Sequence, residues 1–347
     1  MADFRIDREI ETATTTVVRK RRNPIADFFI RLIKEKPLGT IGLIIVIVLL
    51  LTGIFSDLTW LGFPSVEDGG PGLAPYGFNE IILKHRLDGP SIEHLLGCDN
   101  LGRDLLSRII FGARISMIVA LAGSTIATVV SFFVGAISGF LGGRYDMIVQ
   151  RFVDAWMCFP GLVLYLIVMS ILGPGLLQVI IVLGVSMGLG GGSRVTRSAV
   201  IRIKEDVYFE AAKAIGVPTS RILLRHVLPN ILPVMIIGFS TGLGGFILAE
   251  ASLSFLGFGI PPPTPSWGGM LSGTGRTYML QAPWMALWPG LALSIVVYGV
   301  NMLGDAVRDL FDPRLRGGLG RYGGISQEKL AKLVEKKKLG VESPSEA

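Results

Sequence analysis

Residues 115–141 read ISMIVALAGSTIATVVSFFVGAISGFL, with no charged side chain and only Ser and Thr as polar interruptions. A helix crossing a bilayer needs about 20 such residues, because ~30 Å of hydrocarbon is covered at 1.5 Å each and no water is there to satisfy the backbone. Five further runs meet or approach that need: Leu38 to Phe55, Asp154 to Leu172, Leu176 to Ser193, Ile231 to Gly257 and Pro283 to Gly304. The composition agrees, since half of the 347 residues are hydrophobic, 17% are charged and the mean hydropathy is +0.57. Soluble domains carry about 25% charge. The 45 glycines show no collagen period, and apolar residues are too plentiful for disorder. Two cysteines, Cys98 and Cys158, cannot form a disulfide framework, and no Cys/His spacing matches a zinc site. The expectation is an all-α membrane protein with six transmembrane helices.

The charges orient it. Lys and Arg in short loops near span ends mark the cytoplasmic side. Nine lie in residues 1–36, two in 144–151, seven in 194–225 and nine after 306, while the alternate loops hold six. Both termini are therefore expected in the cytoplasm. The chain divides into a basic N-terminal arm (1–36), a first span (37–56), an extracytoplasmic loop (57–110), a five-helix core (111–306) and a cytoplasmic tail (307–347). The core contains an inward loop at 194–230 and an outward loop at 257–283. The first apolar run follows a polar arm and lacks a small-residue cleavage site, so it reads as a retained anchor rather than a signal peptide.

Helices in lipid associate through close packing of small residues. Gly135, Gly139 and Gly143 are spaced four apart, as are Gly184, Gly188 and Gly192, and both sets read as packing seams. Smooth faces for helices to slide on during a transport cycle are the functional version. The loop at 57–110 begins rich in Gly and Pro and ends at Leu105, Leu106, Ile109 and Ile110 in helical spacing, which suggests an irregular cap and then an amphipathic helix on the membrane surface. His85, His94 and Cys98 invite a metal, but their spacing matches no familiar site. The proline-rich segment at 259–267 must be extended, and Trp267, Tyr278, Trp284 and Trp288 suit an interfacial aromatic belt.

The inward loop is the most informative. Asp206 is placed to cap a short helix over Val207 to Ile215, with Gly216 and Pro218 as its stop. A second start at Thr219 and Ser220 is expected to end at Pro229. A helix of roughly 14 Å between two turns, with Ala211, Ala212 and Ala214 as small contacts and Glu210 as a lone acid, suits either another protein's groove or the chain's own bundle.

These residues resemble a known motif. Glu210-Ala211-Ala212, three residues, Gly216, eleven residues and Leu228-Pro229 are similar to the EAA motif of permease subunits of ABC importers. His226 stands where that motif usually has isoleucine, a departure typical of the peptide/nickel branch. Further segments resemble the second permease of dipeptide/oligopeptide importers: His94-Leu95-Leu96-Gly97, Leu101 to Asp104, Gly112 to Ser116, Glu250 to Gly257, Pro262 to Gly268, Ala282 to Trp284 and Leu303 to Arg316. The resemblance covers about residues 30–317 and implies a type I ABC importer permease fold. It implies as partners a homologous second permease, two ATPase subunits below and an extracytoplasmic substrate-binding protein above, in the cell membrane among lipid and without nucleic acid. Glu210, Ala211, Ala212 and Gly216, with Asp206, would form the coupling helix that inserts into an ATPase. ATP and Mg would be bound by those ATPases, since this chain has no Gly-x-x-x-x-Gly-Lys-[Ser/Thr] run; no cofactor and no catalytic residue is expected here.

Glu250, with Ser254 one turn on, is the unusual polar pair of the spans, because a membrane carboxylate is expensive. It either lines the passage or bonds a neighbouring helix, in this bundle or at the partner permease, and the structural role is the expectation. Two other classes compete. Gly184-Val185-Ser186-Met187-Gly188 fits Gly-x-Ser-x-Gly, but a nucleophile elbow needs a strand-to-helix turn, and this stretch lies in an apolar helix. An ion-driven carrier would want several ionisable groups deep in its spans, and only Glu250 qualifies. The resemblance implies a peptide as solute, with nickel chelates and, in some lineages of the family, oligosaccharides as the alternatives.

Overall fold

A computed structural model describes residues 24–59, 63 and 72–311. The Arg19 to Arg22 cluster, most of the Gly/Pro stretch at 69–72 and the Lys-rich tail lie outside the described residues. Two units are present. The described part of the smaller is one helix, α1 (Pro24–Glu35), whose Phe28, Phe29, Leu32 and Ile33 share a face while Arg31 and Lys34 take the other.

The larger unit, Lys36–Phe311, is a helical bundle. Its helices are α2 (Pro37–Phe55), α3 (Leu105–Leu141), α4 (Gly143–Met157), α5 (Gly161–Leu172), α6 (Leu176–Lys204), α7 (Val207–Ala214), α8 (Leu223–Phe255), α9 (Trp267–Leu271), α10 (Gly273–Tyr278) and α11 (Trp284–Phe311). Five of them, α2, α3, α6, α8 and α11, are long and apolar enough to cross a membrane, and α4 with α5 makes a sixth span if the bent pair counts as one. The bend is 91°. Pro160 sits at the break, where its missing N–H and fixed φ start the new helix. α5 alone has 12 residues, about 18 Å by helical rise and short of a full crossing.

α3 is central, touching α2, α6, α8 and α9, while α11 packs along both α2 and α8. Glycine permits these approaches, as expected for lipid-embedded helices. A methyl group at Gly184 would stand 2.8 Å from Cβ of Ile126, and one at Gly188 would stand 2.7 Å from the Ala127 carbonyl oxygen, so the seam expected on α6 is seated against α3. Gly135 and Gly139 meet α6 at Thr196 and Arg197. Gly143 does not continue that face: it has φ +56°, lies beyond the turn at Gly142 and has open space where a side chain would be.

The structure departs from several other expectations. Among the described residues no separate surface helix precedes the second span. Leu105 to Ile110 are the first turns of α3 itself, and Leu105 and Ile110 are buried in the protein. The reason is Asp104, whose carboxylate accepts from Ser107 N at 2.8 Å and starts the long helix there. Trp267 is not part of an aromatic belt. It is 2% exposed, sits over Gly112 and donates Nε1–H to the Ile109 carbonyl at 3.1 Å. Ser193 to Lys204 is helix rather than loop. Pro229 does not end a helix, because the turn Leu223–Val227 just before it is a wide π-turn, and the chain runs through Pro229 to Phe255.

The 72–104 cap is built on short bonds. Asp104 also accepts from His94 Nδ1 at 3.0 Å, and His85 pairs with Asp88 at 2.9 Å, so both histidines have carboxylate partners. Asp99 holds Arg103 Nε at 2.7 Å. Among the described residues no group of three or more His, Cys, Asp or Glu is placed to hold a metal.

Candidate functional site

The 205–218 loop stands at the bundle end where α6 stops and α8 begins. α7 is eight residues long, about 12 Å, and too short to persist on its own. Phe209 secures it. That side chain is 5% exposed, clusters with Val200, Ile203, Ile222, Val227 and Ile231, and meets Phe140 at the end of α3 edge to face, with ring centroids 5.8 Å apart. Tyr208 Oη accepts from Asn230 Nδ2 at 3.1 Å, and burial together with the Asp206 carboxylate holds the Tyr208 hydroxyl above its usual range.

The residues singled out from the sequence lie on this helix or at its ends. Asp206 directly precedes α7, is exposed, and accepts the Phe209 N–H on its backbone carbonyl at 2.9 Å. Glu210 is exposed on α7, and Ala211 and Ala212 belong to the same helix. Gly216 has φ +75° with open space around its α-carbon, the left-handed stop that a side chain would strain. Val207 and Ile215 are 83% and 80% exposed. One end of the bundle thus presents a short helix that is anchored on one side and offers apolar groups and a carboxylate on the other. Phe209 was not singled out from sequence, although the aromatic pair Tyr208-Phe209 just before the Glu210-Ala211-Ala212 run was the available signal.

Glu250 and Ser254 lie together, far from α7: Glu250 is roughly 40 Å along α8 from Leu223 by helical rise. The carboxylate is fully buried, and its Oε1 accepts from Ser254 Oγ at 2.7 Å. Ser254 Oγ also accepts the Ile260 N–H at 3.3 Å, which ties the end of α8 to the loop that follows.

A cavity of about 270 Å³ opens between α3, α6 and α8. Ser124, Thr128, Ser131 and Thr196 bring hydroxyls to it, Met187 and Phe246 bring apolar surface, and Glu250 is not among its lining residues. Ser186 of the Gly-x-Ser-x-Gly stretch lies inside helix α6 and is buried, so the strand-to-helix turn of a nucleophile elbow is not present there.

Comparison with known proteins agrees with this architecture. The family described as "Binding-protein-dependent transport system inner membrane component" matches residues 131–317. The chain is similar to a dipeptide transport system permease protein of Alkalihalophilus pseudofirmus, with 37% identity over 285 residues, 82% of this chain and 88% of that one. A putative peptide transport system permease protein of Brucella suis is 37% identical over 279 residues, covering 80% and 88%. A glutathione transport system permease protein of Pectobacterium atrosepticum is 32% identical over 312 residues, covering 89% and 98%. With a bundle of apolar helices, a short exposed helix at one end and matches of this extent, the chain belongs to the inner membrane components of binding-protein-dependent transport systems and is a permease subunit of an ABC importer.

Proposed function

We propose that the chain forms half of a peptide passage and that α7 is the coupling helix through which ATPase subunits drive it. The observation carrying this reading is the anchored, outward-facing α7, with Phe209 buried behind it and Glu210, Val207 and Ile215 presented in front. When an ATPase dimer closes, a short rigid helix in its groove is displaced, and the spans joined to it follow, so the passage opens alternately to the two sides. The largely apolar cavity between α3, α6 and α8, with the hydroxyls of Ser124, Thr128, Ser131 and Thr196 in its wall, is this chain's contribution to the passage. Glu250 takes the structural role, holding α8 to its outer loop through Ser254.

In this arrangement the α7 end and both termini face the cytoplasm, as the Lys/Arg distribution favours. The partners are a second permease, two ATPases that bind ATP and Mg, and an external binding protein, while this subunit itself performs no chemistry. Peptide is the solute class favoured by the names of the relatives. The test is Gly216→Leu: the subunit should reach the membrane but lose ATPase association or ATP-driven peptide uptake. Full uptake would remove the coupling assignment.

A further inference from the structure

Two neighbouring spans widen into π-turns at the same level, Phe132–Ala136 in α3 and Gly188–Gly192 in α6. They face each other. Ser131 Oγ donates to the Gly188 carbonyl at 3.1 Å, and a methyl group at Gly135 would stand 2.8 Å from Cβ of Thr196. Gly190 leaves helical geometry altogether, with ψ −113°. Turns of this kind interrupt the regular hydrogen-bond ladder, so a helix bends there at lower cost than elsewhere.

Beyond this level the two spans are fastened together. Arg197 grips Asp146 of α4 with both arms of its guanidinium, Nε to Oδ1 at 2.6 Å and Nη2 to Oδ2 at 2.5 Å, the strong bidentate form of such a pair. Ser138 bonds the same carboxylate, and Gln150 bonds Ser138. Arg194 pairs with Asp154 further along α4. Lys204 Nζ donates to the carbonyls of Gly139 at 3.3 Å and Phe140 at 2.9 Å, closing off the last turn of α3. Only Glu205 and Asp206 separate Lys204 from α7, and Phe209 of α7 reaches back to Phe140.

We infer that Ile137–Leu141, α4, Ser193–Lys204 and α7 form one rigid body that swings about the paired π-turns, and that Arg197 is the positioning residue that keeps it rigid. The inference rests on the reading of α7 as the ATPase contact. A push on α7 then moves the ends of three helices together instead of bending one loop, and the joint at 132–136 and 188–192 sets where the spans begin to part.

The experiment uses the complete transporter in proteoliposomes, with its ATPases and binding protein, and follows uptake of a radiolabelled dipeptide together with ATP hydrolysed. Arg197→Gln should still hydrolyse ATP, but its uptake per ATP should fall by about fivefold, the scale of losing one strong contact from a two-state balance. The exchange Asp146→Arg with Arg197→Asp should recover most of it. A merely stabilising pair would lower the amount of complex and leave the ratio unchanged. In a Cys158→Ser background, Gly139→Cys with Val200→Cys joins two points whose Cβ positions lie 3.3 Å apart, close to the ~3.5–4.5 Å of a disulfide. Because that pair leaves Arg197 intact, it decides the matter even if Arg197→Gln fails to assemble. Oxidation should leave uptake intact, since the joined parts move together, whereas uptake lost on oxidation and regained on reduction would overturn the inference. An unchanged uptake per ATP in Arg197→Gln would also overturn it. A wild-type complex that imports no peptide with ATP would overturn the importer reading and this inference with it.

Discussion

Truncating Phe209 to alanine removes the buried ring that fastens α7 to the bundle and leaves the exposed Tyr208–Asn230 hydrogen bond beside it. Phe209 is 5% exposed and surrounded by Val200, Ile203, Ile222, Val227, Ile231 and the Phe140 ring. Loss of a buried phenylalanine costs about 3–5 kcal/mol, and the lower end applies at this edge of the core, where neighbours can settle into the space. An eight-residue helix has almost no stability of its own, so the cost falls on the docking of α7 rather than on the spans. About 3 kcal/mol raises the undocked population on the order of 100-fold. Lys213 within α7 and Arg221 after it are trypsin sites, and cleavage tracks the open population when closing is fast. In detergent-purified protein, Phe209→Ala should be cut there on the order of 100 times faster than wild type, while the spans unfold at an unchanged temperature and ATPase co-purification drops. Phe209→Leu, which keeps most of the volume, should stay within about tenfold of wild type. Equal cleavage rates in wild type and Phe209→Ala would show that α7 is held by something other than this cluster.

Other expectations are as direct. Burial and the carboxylates of Asp104, Asp88 and Asp99 push the Cys98 thiol up to about 12, so below that pH it stays protonated. Iodoacetamide at pH 8 should therefore modify exposed Cys158 alone in folded protein and both cysteines after denaturation, as counted by mass spectrometry. Gly184→Leu must push into Ile126 and the Gly123 carbonyl and should cost about 1–3 kcal/mol, read as an earlier thermal transition in detergent. Gly238→Ala, with nothing within 4 Å, should shift that transition hardly at all. Glu250→Gln keeps the shape and an acceptor for Ser254, so ATP-driven uptake and its apparent affinity should match wild type; a changed solute range would return Glu250 to the passage wall.

The spans were legible because length and hydropathy are local properties: a run such as 115–141 needs no distant partner to be recognised. The short helix at 207–214 was legible for the same reason, since Asp206 and Gly216 mark its ends within the chain itself. What escaped depends on residues far apart in sequence. Trp267 reads as a belt residue until Gly112 is seen to leave room for it, 155 positions earlier. Pro229 reads as a stop because the π-turn that accommodates it is a tertiary compromise with no composition of its own. The grip of Arg197 on Asp146 spans 51 positions, and nothing in either neighbourhood announces the other. Gly143 shows the opposite error, in which a correct spacing belonged to a helix that had already turned at Gly142.

The seam between α2 and α11 has a consequence for biosynthesis. A methyl group at Gly299 would stand 2.7 Å from Cβ of Ile45, Gly42 sits against the backbone of Gly299 and Leu303, and Lys36 meets Asp309 at 2.5 Å. The first and last spans of the bundle are thus direct neighbours, and every intervening span must leave the ribosome before they can meet. At elongation rates of about 5–20 residues per second, α2 waits in lipid on the order of 15–50 seconds with its glycine face uncovered. A nascent chain interrupted before α11 would carry that face permanently open, a mark by which membrane quality control could tell an unfinished subunit from a finished one.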